Sequence, residues 1–173
     1  MREKFFSSWK KALFVIAFAN ATLIASPDEK IVYAQLSSYT TQIPNKELLL
    51  VHFENVEGIS GIKLNAHNEL LVQTPGTYVI TFSGQAGSIG TGCWGKVNMW
   101  ININQDKITC SYISETISKN SDTHGVSSHI ILPLKAGDRI GVGVSSNRPN
   151  LGLVTLPLMN TFIPSSTLSV FKL

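Results

Sequence analysis

The sequence predicts an all-β domain, a sandwich of two antiparallel sheets, on three observations. Apolar residues recur at period two in several segments, turn residues punctuate those segments at short intervals, and beyond Lys30 no stretch carries the 3.6-residue periodicity of an amphipathic helix. About 150 residues follow an N-terminal leader-like stretch, enough for one domain with a real core and too few for two ordinary ones.

The leader comes first in the chain. MREKFFSSWKK carries Arg2, Lys4, Lys10 and Lys11, the apolar run ALFVIAFA follows at 12–19, and Ala19-Asn20-Ala21 has the small-x-small pattern that signal peptidase cleaves. A secretory signal is expected over 1–21, cut after Ala21 or, as a second option, after Ala25, which sends the chain out of the cytoplasm. The run is shorter than the about 20 apolar residues that span a bilayer, and a retained anchor is the alternative. Residues 22–30 then form a short polar segment and 31–173 the domain.

The charge balance changes with the leader. The whole chain has 14 Lys+Arg and 11 Asp+Glu. Residues 1–21 hold four of the basic residues and one acidic residue, Glu3, so ten of each remain and the domain is neutral. Nucleic-acid binding needs clustered basic side chains for phosphate contacts. No such cluster stands in the sequence, and no nucleic-acid partner is expected.

Strands follow from apolar runs between turn signals. In order they are IVYAQL (31–36), ELLLVHF (47–53), ELLVQ (69–73), TYVITFS (77–83), KVNMWININ (96–104), SHIILPL (128–134), RIGVGVS (139–145) and STLSVFKL (166–173). KVNMWININ is the clearest: Val97, Met99, Ile101 and Ile103 alternate with Asn98, Asn102 and Asn104. Asn104-Gln105-Asp106 is turn chemistry, and Ile108, Cys110 and Tyr112 continue the alternation in a return strand, which predicts a hairpin. Pro75-Gly76 and Ala136-Gly137-Asp138 separate other strands, giving eight to ten in all.

An antiparallel sheet usually buries one face and hydrates the other. ELLLVHF, YVITF and HIILPL are nevertheless apolar at both parities, and Phe171 points away from Leu168 and Val170. A second subunit is the simplest cover for such strands; the chain's own loops are the alternative. The connection 150–165 is also unusually apolar, with Leu151, Leu153, Leu156, Leu158, Met159 and Phe162. It either packs on the domain or offers Leu153, Leu156, Leu158 and Phe162 to a partner or membrane.

Motifs that suggest chemistry lack their context. Gly90-Thr91-Gly92-Cys93-Trp94-Gly95 is a literal G-x-G-x-x-G, but a dinucleotide site needs a helix after it, and a strand pattern follows; no cofactor is expected. Ala86-Gly87-Ser88-Ile89-Gly90 lacks the first glycine of a nucleophile elbow and the helix behind it. His124 and His129 are five apart on a strand-like segment and face opposite ways, which spoils them as a metal pair; His52 and His67 stand alone. No catalytic residue and no metal ligand is assigned. Cys93 and Cys110 are the only cysteines. In the hairpin register Cys110 lies opposite residue 100, and seven residues of strand, about 23 Å, separate that position from Cys93. A disulfide therefore requires the glycine-rich loop to fold back, and two free thiols are the other reading.

Three phrases, PGTYVITF (75–82), LKAGDRIGV (134–142) and the terminal STLSVFKL (166–173), resemble signature strands of the complement C1q and tumour necrosis factor superfamily. The resemblance covers roughly residues 31–173. It implies a ten-strand jelly roll in which Tyr78, Phe82, Gly137 and Asp138 are signature positions. It also implies assembly as a homotrimer, with Val79, Leu132 and Phe171 the subunit-contact candidates by strand position, and binding through loops and subunit grooves. Some complement-type heads hold calcium, but Asp106 and Asp122 are isolated carboxylates, and hard cations need several converging oxygens. The expected function is that of a secreted, non-enzymatic recognition module for a protein, glycan or surface. A structural coat, fibre-tip or matrix component is the second reading and a secreted hydrolase the third.

Overall fold

The computed structural model describes residues 31–45, 47–90, 94–118 and 122–173. The leader, its cleavage sites and Cys93 therefore lie outside the described residues.

The described chain is all-β and antiparallel, with no α-helix and a single 3-10 turn at Thr109–Ser111. The first sheet runs in the order β10 (Thr123–Leu134), β6 (Gly76–Ser88), β15 (Ser166–Lys172), β1 (Tyr33–Ser38) and β3 (Asn55–Ser60), with β12 (Leu151–Leu153) also paired to β6. The second runs β4 (Ile62–Leu64), β5 (Leu70–Val72), β11 (Arg139–Ser146), β7 (Gly95–Ile103) and β8 (Asp106–Lys107). In it β2 (Leu49–Leu50) also pairs with β11, and β9 (Ile113–Ile117) with β7. A small hairpin, β13 (Leu156–Leu158) with β14 (Thr161–Ile163), stands apart.

Leu36, Tyr78, Ile80, Phe82, Leu168 and Val170 from the first sheet meet Leu70, Met99, Ile101, Ile140, Val142 and Val144 from the second in one buried cluster. Two sheets over one core make the arrangement of a β-sandwich. Period two selects these residues: in β6 the buried Tyr78, Ile80 and Phe82 alternate with the half-buried Val79 and Thr81. Tyr78 satisfies its buried hydroxyl by donating to the Thr74 carbonyl at 2.6 Å.

The Gly137-Asp138 turn joins three strands. Gly137 takes a positive φ of 93°, which glycine adopts without strain. Its N–H donates to the Val72 carbonyl at 2.9 Å, and the Asp138 carboxylate accepts from the Lys135 N–H at 2.7 Å and the Asn104 side-chain amide at 2.9 Å. These bonds hold the Asp138 carboxyl below its ordinary pKa. Asn104 thereby ties the β7–β8 turn to the start of β11.

Three expectations need correction. ELLLVHF is not one strand: Leu49–Leu50 pairs on β11 and the Val51 N–H donates to the Val142 carbonyl there at 2.8 Å, but the backbone of residues 52 and 53 is taken up by side chains. Gln42 accepts from the His52 N–H at 2.7 Å and donates to its carbonyl at 2.8 Å, while Asn68 accepts from the Phe53 N–H at 2.8 Å and donates to its carbonyl at 3.2 Å. Two amide side chains substitute for a neighbouring strand. Nor does the return strand run through 108–112. The 3-10 turn breaks it there, with the Ser111 hydroxyl accepting from the Ile101 N–H at 2.8 Å and donating to the Ile108 carbonyl at 2.6 Å. Pairing resumes at Ile113, opposite Met99. Finally, 150–165 is not one loop: β12 is fully buried, whereas Leu158, Met159 and Phe162 on the β13–β14 hairpin are exposed.

Candidate interaction surface

The first sheet turns its second face away from the core, and the ladder fixes which residues share it. Ile131 pairs with Val79, Val79 with Phe171, and Phe171 with Tyr33. One apolar row therefore crosses β10, β6, β15 and β1. Its ends are open: Ile131 is 62% exposed, Phe171 49% and Tyr33 38%. The next row is His129, Thr81, Ser169 and Gln35, and beyond it lie Ser127, Ser83, Thr167 and Ser37. Across these four strands the outward parity holds no Asp, Glu, Lys or Arg.

Several polar side chains of the face already have partners. The Ser83 and Ser127 hydroxyls lie 3.0 Å apart across β6 and β10, and Ser169 donates to the Gln35 side-chain oxygen at 2.8 Å. At the β3 edge Ser37 donates to the Glu57 carboxylate at 2.6 Å. Hydroxyls with partners in place cost less to remove from water than free ones.

Two of the three sequence-derived contact residues, Val79 and Phe171, are neighbours in this row. The third is out by one position. Leu132 pairs with the buried Tyr78 and packs on the core; Ile131 takes the outward place. HIILPL is apolar at both parities, so its register against β6 is set by tertiary pairing and not by its own pattern.

The other candidates separate cleanly. Tyr78 and Phe82 are core residues, and Gly137 and Asp138 form the turn described above. Leu153, expected at a partner contact, is fully buried and bonded through its backbone to Gln42, so it is a core residue. Gly152 beside it has room for nothing larger: a Cβ there would come within 2.2 Å of the Gln42 carbonyl oxygen. Leu156 is half-buried, and Leu158 and Phe162 are exposed. Cys110 is an exposed thiol on the 3-10 turn, and its pairing with Cys93 falls outside the described residues. In the G-x-G-x-x-G segment residues 91–93 are likewise not described, and Gly95 opens a strand. Ser88 ends β6, opposite Leu151.

One charged cluster lies outside the sheet face. The His124 Nδ1 contacts Glu115 on β9, and its Nε2 lies 3.5 Å from Asp122. Asp122 accepts from the Ser118 hydroxyl at 2.9 Å. The Glu115 hydrogen bond raises the His124 pKa above its ordinary 6.5, and the Ser118 bond lowers that of Asp122 below its ordinary 3.8. A raised histidine contributes stability that is whole below 6.5 and is lost as pH rises through the folded-state value. A lowered aspartate contributes above 3.8 and loses its share as pH falls through its own folded value. The clamp is therefore whole in mildly acidic solution. In a thermal unfolding series from about pH 5 to about pH 9, the stability difference between the protein and His124→Gln is expected to shrink as pH rises. A constant difference contradicts this assignment.

His129 points to the outer face and His124 to the opposite side. Among the described residues no three His, Cys, Asp or Glu converge as a metal site would require, and no helix is long and apolar enough to cross a membrane. Asp106 is exposed on β8. Against known proteins, the chain matches no family model and no curated protein.

Proposed function

We propose that the chain is a non-enzymatic recognition module of the C1q and tumour necrosis factor kind, a jelly roll that assembles as a homotrimer through the outer face of its first sheet. Its loops then meet a protein or glycan ligand, and the leader-like N-terminus delivers it outside the cytoplasm. The observation that carries the reading is the outward parity of β10, β6, β15 and β1, which holds no Asp, Glu, Lys or Arg and carries the row of Ile131, Val79, Phe171 and Tyr33. The buried centres of protein interfaces are depleted of charged residues in the same way. Burying a fully exposed Ile or Phe contributes about 1.5–3 kcal/mol; the partly exposed residues of the row each gain a share of that, so the row supplies a driving force while the paired hydroxyls beside it cost little.

The strand path supports the jelly-roll part. Taking β1, β5, β6, β7, β9, β10, β11 and β15 in chain order, the first pairs with the last, the second with the seventh, the third with the sixth and the fourth with the fifth. The last of these pairs is β7 with β9. A long hairpin rolled onto two sheets follows this path. Against a hydrolase reading, both ring nitrogens of His124 face carboxylates, which leaves neither for a nucleophile.

Hydroxyl-radical footprinting at rising protein concentration tests the reading. Tyr33 and Phe171 are expected to become protected as the protein assembles, while Phe162 and Trp94, elsewhere on the surface, keep their labelling. Equal labelling of all four at every concentration overturns it.

A further inference from the structure

On the outer face of the second sheet, Trp100 stands at the parity otherwise taken by Asn98 and Asn102, yet it is only 9% exposed. Its indole lies flat across Gly143 of the neighbouring β11: a Cβ at 143 would come within 2.8 Å of indole atoms. The indole N–H donates to the Asn102 side-chain oxygen at 2.7 Å, which fixes the ring's orientation. Tyr112 stacks beside it, centroids 6.1 Å apart and planes inclined by 27°. Tyr112 directly follows the 3-10 turn that Ser111 fastens to Ile101, so the backbone holds both rings in place.

Lys107 fills the space before them. Its ammonium lies 3.7 Å from the Tyr112 centroid and 4.5 Å from that of Trp100. Among the described residues no ion pair engages it; the two ring faces are its recorded partners. Lys107 itself is exposed and sits on a two-residue strand after the Asn104-Gln105 turn, both of whose residues have positive φ. The walls are therefore fixed and the cation is carried by an exposed hairpin tip.

We propose that Trp100 and Tyr112 form an aromatic clamp for a methylated or quaternary ammonium ion, with Lys107 as its built-in occupant. Ring faces attract any cation through their quadrupole, and they favour cations that give up water easily. A primary ammonium is strongly hydrated, whereas a quaternary one is not, so an external ligand of that class displaces Lys107 and leaves it free in solvent. No bond is made or broken. The tethered lysine acts as an intramolecular competitor, and it sets the threshold a ligand must exceed. The proposal stands apart from the trimer reading, because the clamp lies on the other sheet.

The test follows the Trp100 indole N–H resonance during titration with tetramethylammonium or choline chloride, with sodium chloride as the ionic-strength control. Lys107→Gln is expected to bind about threefold more tightly than the unaltered protein, the factor that removal of a tethered cation–π contact of ordinary strength gives. Tyr112→Leu, at a half-exposed ring, is expected to lose the response while keeping the rest of the spectrum. Phosphatidylcholine vesicles distinguish a lipid headgroup from a free ligand: a response to vesicles as well as choline assigns the headgroup, and a response to choline alone assigns the small molecule. An indole resonance in Lys107→Gln that moves no more with tetramethylammonium than with sodium overturns the proposal, as does an undiminished response in Tyr112→Leu.

Discussion

Phe82→Ala is expected to destabilise the domain by about 3–5 kcal/mol, the cost of deleting a fully buried aromatic side chain. Phe82 is 1% exposed in the middle of β6, with Ser128 of β10 on one side and Leu168 of β15 on the other. Its ring tip lies 3.1 Å from where a Cβ on Gly84 would stand, so the core has closed around it. Both sheets lose contacts when the ring goes, and the surrounding strands are held in register by their ladders and collapse little into the cavity. Chemical denaturation reads the loss as a lower midpoint at an unchanged slope. Thr81→Ala, one residue away on the outward parity, is expected to change the stability of the single chain by no more than about 0.5 kcal/mol. Similar losses at both positions contradict the inward assignment of Phe82.

Phe171→Asp is expected to give the opposite result: an intact fold that no longer assembles. The side chain is half-exposed in the single chain and lies between Val79 and Tyr33 in the apolar row. A carboxylate there repels its symmetry-related copies and must be desolvated on assembly, and an unpaired charge in an interface costs several kcal/mol. Far-UV circular dichroism should be unchanged while the solution mass falls to one chain. The neighbouring pair on β10 separates the two faces. Ile131→Asp is expected to act like Phe171→Asp, whereas Leu132→Ala, on the core side, loses stability by about 2 kcal/mol or more and leaves assembly in place. If Leu132→Ala disrupts assembly and Ile131→Asp does not, the register reading is reversed.

The parts of the fold legible in the sequence were those where one strand carries its own pattern. Val97, Met99 and Ile101 alternate with polar Asn98 and Asn102, Tyr78, Ile80 and Phe82 share one parity of β6, and all six apolar residues are buried. Elsewhere the deciding partner was remote. Residues 52 and 53 belong to a run with a strand's composition, but their backbone groups go to Gln42 and Asn68, and nothing local announces that. Ser111 breaks the return strand by bonding across to Ile101, ten residues away. β3, β4 and β9 escaped notice because they are short or largely exposed, which blurs alternation. For the interaction surface, the sequence showed that β10 and β6 have two apolar faces and that Phe171 of β15 points away from Leu168 and Val170. It could not show that Ile131 and not Leu132 completes the row, since both fit an apolar run. Trp100 did leave a signal, an aromatic residue at the asparagine parity of β7. Its meaning depended on Gly143 beneath it and Lys107 above it, and only the fold brings those together.

In the proposed trimer a second and third copy of this chain cover the outer face of the first sheet. Light scattering after size exclusion of the purified protein tests it most directly. A mass of three chains, steady across the elution peak, is the expected result. A mass of one chain at every concentration contradicts the trimer, and would leave the row of Ile131, Val79, Phe171 and Tyr33 facing water.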